Sequence, residues 1–306
     1  MRQIGRKDID VALGTTKSVA GFATAMDHAE CRYLHRRFGT TYYFATRRLP
    51  ARIRRRVHAL YGFVRVPDEW MDNQSNVSTT QREQQINSYR NELLRGLDGV
   101  RPTHAVLRAF CDVAREVALP IEEPLEFLKA MEQDIYTSRY STYTDLEKYM
   151  RGSAVAVGIM MCRLLEVEVD DRVLKGATAL GEAMQMTNFL RDVGEDIRRG
   201  RIYLPIEDLK QFPDSEDAIL HEELNADMIS LLKFEIARTR ELYRTADAGI
   251  PLLPKGAQRA VKLARILYSR ILDRIEERNY DVFNGRARTS RTEKLVTAFR
   301  VLSGLA

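Results

Sequence analysis

Gln185-Met186-Thr187-Asn188-Phe189-Leu190-Arg191-Asp192-Val193-Gly194-Glu195-Asp196-Ile197-Arg198-Arg199-Gly200-Arg201-Ile202-Tyr203-Leu204-Pro205 is the stretch whose reading decides this chain. Taken as an α-helix, it repeats Asn188, Asp192 and Asp196 at four-residue intervals, which puts all three on one face about one turn apart. Like charges at that spacing repel by roughly 0.2–0.5 kcal/mol per pair, so the face calls for a cation among its acids. Gly200 and Pro205 mark the break that follows the helix.

A second acidic cluster lies upstream, in Arg65-Val66-Pro67-Asp68-Glu69-Trp70-Met71-Asp72, where Asp68 and Asp72 keep the same spacing. The segment leading to it reads as a helix opened by Pro50, with Val57, Leu60, Tyr61 and Val64 on its apolar stripe. Pro67 removes a hydrogen bond inside that helix, so a kink or restart is predicted there. A restart would put both aspartates in first turns, where the macrodipole favours negative charge. Asn73 to Thr80 reads as a polar loop, a lid over the acids.

Composition sets the frame. With 306 residues, 44% hydrophobic and 30% charged, the chain is globular, and its few prolines favour an all-α fold. One helical domain over residues 30–306 is predicted, behind a lead segment of residues 1–29. Further helices are predicted near 81–97, 103–118 and 123–138, each with apolar positions three or four apart, and near 145–166, 223–249 and 256–279. The fourth carries the small-residue run Gly152-Ser153-Ala154, which suits either tight helix packing or the wall of an elongated pocket.

Cys31, Cys111 and Cys162 form no metal or disulfide pattern, and buried reduced thiols are expected. The short apolar run after Arg2, Arg6 and Lys7 cannot span a bilayer, and no other window can, which points to a cytoplasmic protein. The net charge of +5 fits nucleic acid, anionic lipid or a polyanionic substrate equally. Arg286, Arg288, Arg291 and Lys294 form a basic run that is either solvated surface or a phosphate contact.

Two Asp-x-x-x-Asp pairs can face one another across a helical bundle and offer hard oxygen ligands. Magnesium completes its shell with substrate phosphate and water, so the reading is Mg²⁺ joining two helices to a diphosphate, with manganese as the alternative ion. Arg65, Arg191 and Arg286 would balance the remaining negative charge. Diphosphate leaves most readily from a carbon that yields a stabilised cation, as an allylic prenyl chain does. Tyr42, Tyr61, Tyr149 and Tyr268 offer π faces and oxygen dipoles for such a cation.

These residues resemble the squalene and phytoene synthase family of head-to-head prenyl transferases over about residues 30–295. The strongest similarity is Asn188 to Asp196 with Arg199-Gly200-Arg201-Ile202-Tyr203-Leu204-Pro205; Asp68-Glu69-Trp70-Met71-Asp72 behind Tyr61 and Arg65 matches the other acidic motif. The resemblance implies an isoprenoid-synthase bundle with acids on opposite walls of a central cavity. It further implies that Asp68, Asp72, Asn188, Asp192 and Asp196 bind metal and diphosphate. Arg65, Gln185 and Arg286 would then hold substrate, with Tyr149 and Tyr268 beside the reacting carbons. Arg151 to Ala154, Phe38 to Tyr43 and Tyr280 to Phe283 are most similar to the microbial branch that couples two geranylgeranyl diphosphates to phytoene without NADPH. Squalene or dehydrosqualene formation from two farnesyl diphosphates is the alternative. Phe38, where many relatives have histidine, and Trp70 between the acids depart from the family pattern.

Two other classes are weighed. A non-catalytic scaffold of the same fold should have lost acids, and here both pairs are complete. Nucleic-acid binding finds no recognised module, and the arginines are interleaved with acids. A monomer is expected, attached loosely to the inner membrane surface because its substrate and product are oily.

Overall fold

Residues 185–198 form the second half of a 28-residue helix, Asp171–Arg198, within a computed structural model that describes residues 21–72 and 77–305, the side chain of Asp72 excepted. The described helices in chain order are α1 (Ala25–Phe38), α2 (Thr40–Thr46), α3 (Ala51–Asp72), α4 (Thr79–Leu97), α5 (Ala105–Glu116), α6 (Glu122–Gln133) and α7 (Tyr143–Met150). They continue with α8 (Ala156–Leu164), α9 (Asp171–Arg198), α10 (Ile206–Leu209), α11 (Ser215–Leu220), α12 (Ala226–Asp247), α13 (Lys255–Glu277) and α14 (Arg291–Leu302). No strand occurs among the described residues, where a lone bridge pairs Arg139 with Ile202. The all-α expectation holds. The predicted long helices match α4, α5, α12 and α13 closely; α6 ends at Gln133, short of the predicted 138, and the predicted 145–166 helix is divided into α7, a π-helical turn and α8; α1 runs across residue 30.

Helix α9 packs on α12 and α13 on one side and on α8 on the other. Its buried residues, among them Ala183, Met186, Thr187, Leu190 and Val193, therefore point in several directions rather than along one stripe. Asp170 caps its start by accepting from the Arg172 and Val173 amides. Its end is a Schellman turn: Gly200, at φ +73°, lets the Arg201 amide reach the Asp196 carbonyl at 2.9 Å and its own amide reach Ile197 at 2.8 Å. That turn sends Arg201 and Tyr203 back toward the interior.

Helix α3 packs against α1, α5, α6 and α8, around Phe63, Phe110 and Phe127. Phe63 and Phe110 stack at 4.0 Å, each fully buried, and burial of each ring contributes roughly 1.5–3 kcal/mol. The three cysteines are free and buried.

The restart considered at Pro67 does not occur. Helix α3 runs unbroken through Pro67 to Asp72. The carbonyl that Pro67 leaves without a helical donor is that of Phe63, and the Tyr89 hydroxyl of α4 donates to it at 3.4 Å. Trp70 then packs edge-on against Tyr89 at 5.4 Å. Because there is no restart, Asp68 and Asp72 sit in the last turns of α3, where the macrodipole disfavours negative charge. Their need for cations is greater than the sequence reading allowed.

Tyr89→Phe should therefore destabilise the fold by about 1–3 kcal/mol, since a buried carbonyl loses its donor. Pro67→Ala in the same chain should recover most of that loss by restoring the amide. Urea unfolding of the two single variants and the double variant measures the coupling, and additive effects would contradict it.

Candidate active site

Tyr42, Tyr61, Arg65, Asp68, Tyr149, Gln185, Asn188, Arg191, Asp192, Asp196, Tyr268 and Arg286 all line one cavity of about 720 Å³. Helices α3 and α9 supply its acidic walls. Asp72 closes α3, but its side chain lies outside the described residues, as do residues 73–76 of the expected lid. Every other sequence-predicted site residue is thus brought to the same space.

Gly194 explains how Arg286 arrives. A Cβ there would lie 2.9 Å from the Phe283 Cα and 3.0 Å from the Val282 carbonyl, so the chain after α13 presses directly onto α9. Asp281 holds that chain in a turn by accepting from the Phe283 and Asn284 amides. Arg286 is left facing Asp192 Oδ1 at 2.9 Å and Glu195 Oε2 at 2.7 Å.

Arg191 grips Asp192 from the other side in a two-pronged pair, Nε–Oδ1 2.8 Å and Nη2–Oδ2 2.6 Å. Burial opposes the Arg191 charge, and the bond to Asp192 outweighs it, raising its pKa further. Asp196 lies 4.0 Å from Arg199. On the opposite wall Arg65 binds both Asp68 and Glu69, with its guanidinium 4.3 Å above the Phe38 ring. Phe38 thus provides a platform for an arginine where a histidine was expected.

Guanidinium groups therefore supply the positive charge that the acids require. Among the described residues no group of three or more His, Cys, Asp or Glu side chains converges to hold a metal unaided. Hard oxygen donors on two walls fit instead an ion that takes one or two carboxylates and fills its shell with phosphate and water, as magnesium does.

Away from the acids the walls turn apolar, through Met71, Phe127, Met131, Val157, Met161 and Leu180 among others. The run Ser153-Ala154 reaches the cavity from a π-helical turn, Arg151–Val155, between α7 and α8. The two readings of that small-residue run both hold: a Cβ at Gly152 would lie 2.6 Å from the Glu126 carbonyl oxygen, and its neighbours line the space. Tyr61 stacks on His35 at 4.2 Å, and His35 Nδ1 meets His58 Nδ1 at 2.9 Å. Burial pushes His35 down to about 2 and His58 down to about 4, so the platform under Tyr61 is uncharged at neutral pH.

A family model described as squalene/phytoene synthase matches residues 35–293. The chain belongs to the squalene/phytoene synthase family. It is 36% identical to a 15-cis-phytoene synthase of Synechocystis sp., over 87% of this chain and 81% of the relative. It is 35% identical to a phytoene synthase of Cereibacter sphaeroides, over 87% and 76%. Among solved structures, a dehydrosqualene synthase superposes with a TM-score of 0.84 at 27% identity, covering 92% of this chain and 96% of that one.

Reading the acidic motifs of this family member missed Asp134, Arg201 and Tyr203, which line the same cavity. Asp134 is 6% exposed, and its carboxylate accepts from Tyr149 Oη at 2.7 Å and from Tyr203 Oη at 3.4 Å. Arg201 donates to the Asp134 backbone carbonyl at 2.8 Å. Burial, more than any other cause, pushes the Asp134 carboxyl up to about 7. A signal was present: Phe127, Met131 and Asp134 fall at helical spacing, so a carboxylate continues an apolar stripe.

Proposed function

We propose that the chain couples two molecules of geranylgeranyl diphosphate head to head, through a cyclopropylcarbinyl diphosphate, to phytoene, with release of diphosphate. The observation that carries this reading is that acids and arginines of α3 and α9 share one cavity with a large apolar lining. The two curated phytoene synthases, each more than 30% identical over most of this chain, support the same substrate. The likeness to a dehydrosqualene synthase favours a second reading, coupling of two farnesyl diphosphates.

Asp68, Asp72, Asn188, Asp192 and Asp196 would hold magnesium, or manganese in its place, which when bound would supply Lewis-acid pull on the diphosphate. Arg65, Arg191 and Arg286 exchange carboxylate for phosphate as substrate enters, and Gln185 orients it. Tyr42, Tyr61, Tyr149 and Tyr268 present ring faces and oxygen dipoles to the allylic cation while the apolar walls exclude water. The departing diphosphate takes the proton lost in each half of the reaction. No reductant enters, so NADPH is not required.

With magnesium and geranylgeranyl diphosphate, the purified protein should release diphosphate and form a C40 hydrocarbon. Hydrocarbon from farnesyl diphosphate alone would overturn the phytoene reading in favour of the second. No described helix is long and apolar enough to cross a membrane. The protein works as a monomer in the cytoplasm, resting on the inner membrane surface into which an oily product partitions.

A further inference from the structure

Leu295, Val296, Phe299 and Leu302 share one side of α14, and all are exposed, Leu295 by 61% and Phe299 by 68%. The other side is anchored. Ala298 and Val301 bury against Ala45 of α2 and Leu263, Ala264 and Leu267 of α13, so the outward face belongs to a packed helix and not to a frayed end. At about 100° per residue, exposed Arg291 falls about 40° to one side of Leu295, and exposed Arg300 about 40° beyond Val296. The apolar stripe is thus bordered by arginine on both edges.

The surrounding charge is one-sided. Residues 286–305 contain Arg286, Arg288, Arg291, Lys294 and Arg300 against one acid, Glu293. Glu293 is taken up by Arg274 and lies 3.9 Å from Arg270. Burial first, and then the neighbouring charges of Arg288 and Arg291, hold the Lys294 ammonium below its usual range. The helix also starts beside the cavity: Lys294 Nζ reaches Thr40 Oγ1 at 3.5 Å, and Phe38 and Gly39, just before Thr40, line the cavity.

An apolar stripe with arginine borders fits a partner that is oily within and anionic at its surface. A second copy of the chain fits poorly, because a two-fold contact would set arginine against arginine. We propose that α14 is the seat on which this protein meets an anionic lipid bilayer. Leu295, Val296, Phe299 and Leu302 enter the boundary of the acyl region, and Arg288, Arg291 and Arg300 meet lipid phosphates. The cavity then opens next to the bilayer, where prenyl chains enter and leave. The inference rests on the proposed function only for that cargo, since binding is read without catalysis.

Flotation with vesicles tests it. Wild-type chain should float with phosphatidylcholine vesicles containing about one-third phosphatidylglycerol, and about tenfold less with phosphatidylcholine alone or in about 0.5 M salt. Leu295→Ser with Phe299→Ser, and separately Arg291→Gln with Arg300→Gln, should each lower binding by about tenfold or more while circular dichroism and turnover on detergent-dispersed substrate stay unchanged. Wild-type binding by either variant pair, or equal binding to neutral vesicles, would overturn the proposal. So would a wild-type dimer that the serine pair converts to monomer, which would make the face a self-interface. Loss of turnover on every substrate with lipid binding intact would strike the proposed function alone.

Discussion

Asp192→Asn should lower turnover on the order of 10³-fold while the chain still folds. The substitution keeps the shape of the side chain and one acceptor oxygen, and removes a charge that two arginines share. Arg191 holds both carboxylate oxygens and Arg286 approaches one of them, so Asp192 is the junction between the α9 wall and the chain after α13. In the proposed reaction the same carboxylate would serve as a magnesium ligand, and an amide would be a much poorer one. The half-saturating magnesium concentration should therefore rise by about tenfold or more. Leaving Arg191 with a weaker partner should cost about 1–3 kcal/mol of stability, visible as a lower urea midpoint with an unchanged circular dichroism spectrum. A variant with wild-type turnover and an unaltered magnesium requirement would remove Asp192 from the chemistry.

The acidic walls were legible because their signal is local. Four-residue spacing on a helix brings side chains together whatever surrounds the helix, and Asn188, Asp192 and Asp196 needed no tertiary knowledge. The restart considered at Pro67 failed for the opposite reason. The proline's cost is local, but its remedy is the hydroxyl of Tyr89, 22 residues later in the sequence and on another helix. Gly194 and Arg286 are intelligible only together, since the glycine is needed for a chain segment about 90 residues away. The basic run after Arg286 was visible as charge, yet its division into one arginine at the cavity and a helix with an outward apolar face depends on where α14 packs. Spacing within a helix can be read from one sequence; a partner on another element cannot.

Asp134→Asn should separate stability from activity. In the folded chain burial holds this carboxyl up at about 7, helped by the charge of Asp68 and opposed by Arg201 and by the Tyr149 and Tyr203 hydroxyls; Tyr140 also borders it. Unfolded, it would titrate near 3.9. The folded state therefore binds the proton more tightly, so the group's contribution to stability is complete below about pH 4 and is lost as pH rises through about 7. The slope between those limits is about 1.4 kcal/mol per pH unit. Glu182, pushed up to about 7, and Glu235, up to about 8, act with the same sign, but both remain in the variant and cancel in the comparison. Asparagine has no charge to bury, so the variant should lose one part of the slope and be more stable than wild type at pH 8. Activity should move the other way. Ionised Asp134 accepts a hydrogen bond from Tyr149 Oη at 2.7 Å, which fixes that ring and turns oxygen lone pairs toward the cavity where the proposed cation forms. Without it turnover should fall about 100-fold with little change in KM, and the rise of turnover with pH near 7 should disappear. Side chains that serve packing alone would not couple higher stability at pH 8 to a lost inflection in the rate profile. If turnover and its pH profile match wild type, Asp134 is a buried acid with no part in the reaction.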